Sequence, residues 1–451
     1  MDRKVPLYLV FIIIFFGTLI TILFGAAVHH VMTGNKNLGS FGENLLMAAE
    51  FPSLAKQAIK EIKTGTKLVT KNRFPELDGF KKFGRIQAGV REDDGYLLLS
   101  SYDKRKGQSV VQLIRIRDQK TIYEWVPDID ELAKLDKHVS PHKKELVKSS
   151  FRMVNPFLLN NGNIVFQDRA NLFQIDLCSV VKWSVNGVFH HSIELDADGN
   201  IWAPSIMEPG SYDEELTFRD DAISQISPKG ELLFSKSIAE ILDENGYRGL
   251  LAAGFNRNPI HLNDIQPAFI DSEFWKKGDL LLSMRNISTV MLYRPSINKI
   301  IWLSTGPWMN QHDVNFVGNH EITVFGNNVI NSPSKNKYSK AIRRVLIDGH
   351  NNVYRYDFDT DTMITPYNDI MKLMKVRTRT EGRGTILDNG DVFIEEQNNG
   401  RILRLSKDKV RWEYARRINE KQLAMLSWSR YMTQDQLESI LPILKNTSCV
   451  N

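Results

Sequence analysis

Apolar and polar residues follow three different rhythms along this chain. Residues 5–28, VPLYLVFIIIFFGTLITILFGAAV, hold no charged side chain. The run is longer than the roughly 7–15 residues of a signal-peptide core, and it reaches the about 20 needed to cross a bilayer. From Gly42 to Lys63 apolar residues fall at helical spacing, which predicts a juxtamembrane helix. From about Lys81 the rhythm becomes apolar–polar alternation in short runs broken by Gly, Asn and Asp. That is the pattern of half-buried β-strands joined by tight turns.

The alternating part repeats itself. RIQAGVREDDGYLLLSS is followed by VVQLIRIRDQKTIYEW, and MVNPFLLNNGNIVFQD by LFQIDLCSVVKW. HHSIELDADGNIWAPS is followed by AISQISPKGELLFS, and HLNDIQPAFIDSEFWKKGDLLLSMRN by VMLYRPSINKIIW. QHDVNFVGNHEITVFGNN leads to IRRVLIDGHNNVYRYD, and GRGTILDNGDVFIEEQN to ILRLSKDKVRWEY. Each copy predicts four short strands, and six copies predict an all-β, six-bladed β-propeller. A solenoid would need shorter and more uniform repeats. Helical patterns at Asp128–Ser150, Ile238–Gly254 and Tyr367–Arg377 read as insertions between copies. The expected organisation is a cytoplasmic N-terminus over 1–4, a transmembrane signal anchor over 5–28 and a helical stalk over 29–80. The propeller then spans 81–417, and a tail over 418–451 packs across it or closes its last blade.

Composition sharpens this in three ways. With 451 residues, 42% of them hydrophobic and 25% charged, the chain can bury a large core. The net charge of +5 comes without a long Lys/Arg block, so nucleic acid is not an expected partner. Arg3 and Lys4 precede the apolar run and favour a cytoplasmic N-terminus, with Asp2 working against them. The propeller is then expected on the extracytoplasmic, periplasmic side of a single-pass anchor; cleavage after Gly25–Ala27 is the alternative. The two cysteines, Cys178 and Cys449, stand far apart with no zinc-type spacing, and the sequence does not say whether they pair.

The candidate chemistry lies where the copies begin. Inner strands of blades point at a common axis, so the residues that open them face one channel mouth. Those positions hold Gln87, Val154, His191, His312 and Gly382, and the longer fourth copy opens at His261. A single histidine on an apolar strand face is usually a hydrogen-bonded core residue. Three from consecutive copies converging on one axis point to a site. His191, Ile193 and Leu195 are expected on one strand face, which turns the neighbouring His190 away and makes it structural. Asn263 shares the side of His261, and Arg285 ends the second strand of the fourth copy. Arg383, beside the sixth entry position, reads as a solvated side chain that could touch substrate. Neither carboxylates nor helical i,i+4 pairs accompany the histidines, so no metal is expected. Trp125, Trp183, Trp302 and Trp412 end strands and read as packing between blades.

Taken in order, HHSIELDADGNIW, HLND before SMRN, QHDVNF, and GRGTILDNG followed by VRWEY and LSWSRY resemble the bacterial arylsulfotransferase family. The resemblance runs from Lys81 to Tyr431. It implies an exported six-bladed propeller that moves a sulfuryl group from a phenolic sulfate to a phenolic acceptor, without a nucleotide donor or other cofactor. It also implies that His191, His261 with Asn263, Arg285 and His312 line the channel. His312, the last histidine, would be the transiently sulfated nucleophile. An N-terminal β-sandwich and close cysteine pairs found in members of that family are absent here. The chemistry is sound on its own terms. Neutral imidazole is a competent nucleophile near pH 7, arginine grips sulfate oxygens in pairs, and sulfuryl transfer rests on positioning. The competing expectation is a non-catalytic, membrane-tethered propeller that binds or scaffolds. A hydrolase or lyase on the same scaffold would call for a carboxylate pair or a metal.

Overall fold

A computed structural model describes residues 6–32, 68–82, 95–210, 218–252, 258–331 and 345–449, with isolated positions besides. The chain divides into two units, Met1–Lys67 and Leu68–Asn451.

In the first unit a helix runs Leu7–Met32. The stretch Leu7–Val31 has a mean hydropathy of 2.8, enough to cross a membrane as an anchor or to serve as a signal sequence. It extends past the expected end at 28 because no proline interrupts it after Pro6. Thr18 and Thr21 donate their hydroxyls to the carbonyls of Ile14 and Gly17, 2.8 Å each, which satisfies them inside an apolar segment. Most of the expected stalk, and the entry strand of the first copy with Gln87, lie outside the described residues.

The second unit is all-β, built of antiparallel sheets. Sheet I orders Arg430–Met432, Tyr96–Asp103, Gln108–Arg115 and Lys120–Trp125. Sheet II is Val154–Leu158, Ile164–Gln167, Ala170–Ile175 and Val181–Phe189. Sheet III is Glu194–Leu195, Ile201–Ile206, Asp221–Ile226 and Leu232–Ser237, joined to sheet II where Phe189 pairs with Ser205. Sheet IV takes Leu262–Pro267, Leu280–Met284, Thr289–Arg294 and Lys299–Thr305. Sheet V takes Val314–Val317, Glu321–Gly326, Asn352–Asp357 and Thr362–Ile364. Sheet VI takes Arg383–Ile386, Val392–Glu396, Arg401–Leu405 and Val410–Ala415.

Both chain ends of this unit add strands to the sheets. Arg430–Met432 from the tail pairs with Tyr96–Leu98 and supplies the first strand of sheet I rather than closing the last sheet. Gly79–Lys82 pairs with Trp412–Ala415 as an outer fifth strand of sheet VI. The expected insertions are shorter than their helical patterns. Asp128–Ser150 is helical only over Ile129–Leu135, capped by Asp128, whose carboxylate accepts from Asp130 and Glu131 amides, and it ends at Asp136, whose amide bonds the Leu132 carbonyl. Ile238–Gly254 breaks into Ile238–Glu244 and Gly249–Ala252 around Gly246, whose φ of +83° only glycine adopts freely.

Apolar side chains close the gaps between neighbouring sheets in cyclic order. Trp125 and Phe173 lie between sheets I and II, Val165 and Ile201 between II and III, and Ile223 and Leu282 between III and IV. Val290 and Val324 lie between IV and V, Phe325 and Ile394 between V and VI, and Phe393 and Leu97 between VI and I. Each large side chain fully buried this way contributes roughly 1.5–3 kcal/mol. The tail helix Ile440–Asn446 adds Ile440, Leu441 and Leu444 to the first of these clusters. A disulfide joins Cys178, in the turn of sheet II, to Cys449 beyond that helix. The pairing that the sequence left open is therefore made.

Candidate active site

Each of the three expected histidines stands just ahead of a first strand. His191 precedes Glu194–Leu195, His261 precedes Leu262–Pro267, and His312 precedes Val314–Val317. Their rings meet. His191 lies 5.0 Å from His261 and 6.2 Å from His312, centroid to centroid. Trp428, from the segment leading into the tail strand, closes the group at 5.7 Å from His191 and 6.2 Å from His312.

The backbone reaches this arrangement through uncommon conformations. His191, His261, Glu381 and Trp428 all adopt left-handed φ values, 62°, 58°, 60° and 59°. Such residues cost about 1 kcal/mol or more each and collect at functional sites. They also overturn the strand-alternation reading of this corner. His191 is not in a strand and does not share a face with Ile193, and its left-handed backbone turns its ring onto that of His190. The two rings sit edge to face at 4.9 Å, with Nδ1 to Nδ1 at 2.8 Å. His190 is fully buried, and its Nε2 stands 3.1 Å from Asp221 Oδ1 and 2.9 Å from Arg219 Nη2. Arg219 in turn binds the same Asp221 oxygen through Nε at 2.8 Å.

Each imidazole has its own orienting partners. His312 Nδ1 donates to Asn327 Oδ1 at 2.6 Å and faces the Asn310 carbonyl at 3.1 Å. The Asn327 amide cannot be reversed, because its Nδ2 donates to the carbonyls of Thr378 and Glu381 at 3.1 and 2.8 Å. The proton of His312 is therefore on Nδ1 and the lone pair on Nε2, which accepts the Glu381 amide at 3.0 Å. His261 Nδ1 is held by the Asn258 side-chain amide at 2.6 Å. Burial is the main cause that lowers all four histidines. His312 is pushed down to about 3, with the Arg285 charge as the second cause. His190 falls to about 4, and His191 and His261 fall well below the usual range. All four are neutral at pH 7.

Arg285 opens a 3-10 turn after Leu280–Met284, donates to Asn286 Oδ1 at 2.7 Å, and sends its amide to the His261 carbonyl at 3.0 Å. Its charge acts on both His261 and His312. Asn263 sits where the pairing register slips between Leu262 and Asp264, a bulge that re-aims the side chain. Its Nδ2 donates to the Gln311 carbonyl at 2.8 Å, and its buried Oδ1 has no partner among the described residues. Arg383 is not solvated. It is 5% exposed, and it donates to Asp313 Oδ1 at 3.1 Å, Asn155 Oδ1 at 3.2 Å and the Ser429 carbonyl at 3.3 Å. With Arg430, which holds Glu194 at 2.9 Å and Asn155 at 2.6 Å, it forms a buried charged layer across the first strands. Asp264 completes this layer; burial, with Asp313 and Glu194 beside it, pushes its carboxyl well above the usual range. At the far ends of the same strands lies a cavity of about 290 Å³ lined by Leu158, Gln266, Asn315 and Thr385.

Of the residues expected from sequence, His191, His261 and His312 come together, with Arg285 and Asn263 tied to them. Arg383 belongs to the layer of ion pairs. Sequence reasoning passed over His190, Asp221, Asn258, Asn327, Glu381 and Trp428. Asn327 stood in the quoted run FGNN and Trp428 in LSWSRY, but only long-range packing brings them to the imidazoles. Among the described residues, the one trio whose ligand atoms lie within 4.8 Å of one another is His320, Asp357 and Asp359, partly exposed and apart from these three histidines.

Comparison with known proteins follows from this geometry. Among solved structures, a protein of unknown function from Bacteroides caccae is 14% identical, with 75% of this chain and 99% of that chain covered and a TM-score of 0.46. A catalytically inactive virginiamycin B lyase from Staphylococcus aureus with quinupristin is 10% identical, with 77% and 99% covered and a TM-score of 0.38. Likenesses at that level transfer neither fold nor activity. No curated protein matches the chain. A family description does match: that of arylsulfotransferase (ASST), across residues 160–417, more than half of the 451 residues and inclusive of every histidine in the cluster. The chain belongs to the arylsulfotransferase family.

Proposed function

We propose that residues 81–417, completed by the strand Arg430–Met432, form a six-bladed propeller that transfers a sulfuryl group between phenols through a sulfohistidine at His312. The succession of six antiparallel groups of four strands, one of them with a fifth outer strand, and the six apolar seams between them support the architecture. The family points to aryl sulfates and phenols as substrates in general. The observation that carries the mechanism is the neutral His312, with its proton fixed on Nδ1 by Asn327, its Nε2 lone pair facing the Glu381 amide, and the His191 ring and the Arg285 charge beside it.

In the first half-reaction Nε2 exchanges the Glu381 amide for sulfur. The N–S bond forms as the S–O bond to the aryl group breaks, and the phenolate leaves with that electron pair. His261 hydrogen-bonds the leaving oxygen, and Arg285 holds sulfuryl oxygens as charge shifts. In the second half a neutral imidazole of the site, His191 or His261, takes the acceptor phenol's proton as its oxygen attacks sulfur, and the S–N bond returns its pair to Nε2. Asn263 Oδ1, which has no partner among the described residues, is left to take a hydrogen bond from bound substrate. No nucleotide or other cofactor enters.

We place the propeller outside the cytoplasm on a retained anchor. The Cys178–Cys449 disulfide supports this, since such bonds persist in oxidising compartments. Protease added to intact spheroplasts should digest the propeller, and protection would overturn the orientation. For the chemistry, the full chain is mixed with a chromogenic phenyl sulfate, with and without a phenol. Ping-pong kinetics and a sulfuryl adduct on the peptide holding His312 are expected. Turnover that survives His312→Ala would refute the nucleophile, and no turnover with any phenyl sulfate would favour a binding module.

A further inference from the structure

His190 is fully buried, its amide donates to the Pro204 carbonyl at 3.0 Å, and its ring is held at both nitrogens. At Nε2 the Arg219 guanidinium directs an Nη2 hydrogen to it at 2.9 Å. A guanidinium only donates, so Nε2 is the acceptor. Arg219 is itself tied down. Its Nε donates to Asp221 Oδ1 at 2.8 Å, and the second oxygen of the buried Asp221 accepts the Leu262 amide at 3.2 Å. Burial first, and the Arg219 charge second, keep His190 neutral, so its single proton is on Nδ1. That proton is aimed at His191 Nδ1, 2.8 Å away. His191 Nδ1 is therefore an acceptor, and the one proton of the neutral His191 sits on Nε2. We infer that His190, locked by Arg219 and Asp221, keeps His191 in the Nε2–H form, so that His191 serves the transfer as a hydrogen-bond donor to a sulfuryl oxygen. The inference rests on the sulfuryl-transfer reading.

The lock matters because a neutral imidazole has two forms. One presents an N–H at Nε2 and the other a lone pair there. Without a fixed partner at Nδ1, His191 would spend part of its time turning a lone pair towards sulfuryl oxygens, which repels them. A donor set before substrate arrives needs no reorganisation during transfer. The same form leaves His191 without a free lone pair, so it does not take the acceptor phenol's proton, and of the two imidazoles that step falls to His261. No proton passes between His190 and His191 at any stage. His191 touches substrate; His190, Arg219 and Asp221 are positioning residues that act through it.

Two substitutions separate the donor from the bulk of the ring. His190→Leu removes the hydrogen that holds His191 Nδ1. His190→Gln can keep both bonds, since its amide nitrogen can donate to His191 and its amide oxygen can accept from Arg219. With a phenyl sulfate donor and a phenol acceptor, His190→Leu should slow turnover about tenfold to a hundredfold, the scale of one misdirected hydrogen bond to a charged group. His190→Gln should stay within about threefold of the unaltered protein. An equal loss in both variants, or no loss in His190→Leu, overturns the inference. A second measurement does not depend on turnover. Long-range nitrogen–proton correlations of the full chain in detergent, with isotope-labelled histidine and the His191 signals identified by their loss in His191→Gln, report which ring nitrogen carries the proton. The Nε2–H form is expected at His191 in the unaltered protein and in His190→Gln, and a mixture of forms in His190→Leu. The Nδ1–H form at His191 in the unaltered protein overturns the inference. If the unaltered protein transfers nothing from any phenyl sulfate, the functional reading fails, and the spectrum still decides which form His190 imposes.

Discussion

Breaking the Cys178–Cys449 link should destabilise the protein by several kcal/mol while leaving its folded form intact. The bond closes a loop with a sequence separation of 271. Cross-linking so long a loop restricts the unfolded chain, and the loop-closure relation gives about 5–6 kcal/mol at 25 °C. Removing native disulfides typically costs about 2–5 kcal/mol, so the lower half of that range is the working expectation. The folded side loses little. Leu437, Ile440, Leu441 and Leu444 stay buried against sheets I and II, and they hold the tail at roughly 1.5–3 kcal/mol for each full burial. Both cysteines are exposed, so reductant reaches the bond without prior unfolding. The assay is urea unfolding of the full chain in detergent, followed by tryptophan emission. Trp125, Trp275, Trp308 and Trp412 are fully buried and report loss of the core. Cys449→Ser, Cys178→Ser and reduced protein should unfold alike, and the double variant should add nothing. The denaturant slope should rise, because an open chain exposes more surface on unfolding than a cross-linked one. Equal stability of oxidised and reduced protein, with the bond verified by mass, would refute the entropy argument; free thiols in the purified protein would refute the pairing.

Three further outcomes follow from the site. Burial keeps His312 neutral down to about pH 3 and His190 down to about pH 4, so turnover should show no acid limb near pH 6.5. A rate that halves between pH 7 and 6 would contradict this. Asn327→Ala leaves the His312 Nδ1 proton only the Asn310 carbonyl and should cut turnover about tenfold to a hundredfold, measured with saturating donor. Arg285→Lys keeps the charge but loses the two-pronged grip on sulfuryl oxygens, so its activity should stay well below that of the unaltered protein; full rescue would reduce Arg285 to a point charge.

Local pattern determined a good deal here. An uncharged apolar run over residues 5–28 dictates a helix whatever follows it, because every backbone group is satisfied within the segment. Period-2 alternation and turn residues dictated most of the strands, since side-chain direction along a strand depends only on neighbours. The same regularity placed His191, His261 and His312 at equivalent points of three copies, which is why their meeting was legible. What the tertiary structure alone decided lies where the local rule stops. His191 and His261 are left-handed, so strand alternation no longer says where their rings point, and His190 enters the site instead of leaving it. Arg383 looked solvated because nothing near it in sequence reveals Asn155, Asp313 and Ser429 as its partners. The pairing of Tyr96 with Met432, like the bond between Cys178 and Cys449, joins residues hundreds of positions apart. Such contacts leave no periodic trace, because the free energy that fixes them comes from closing seams between sheets and not from the segments that meet there.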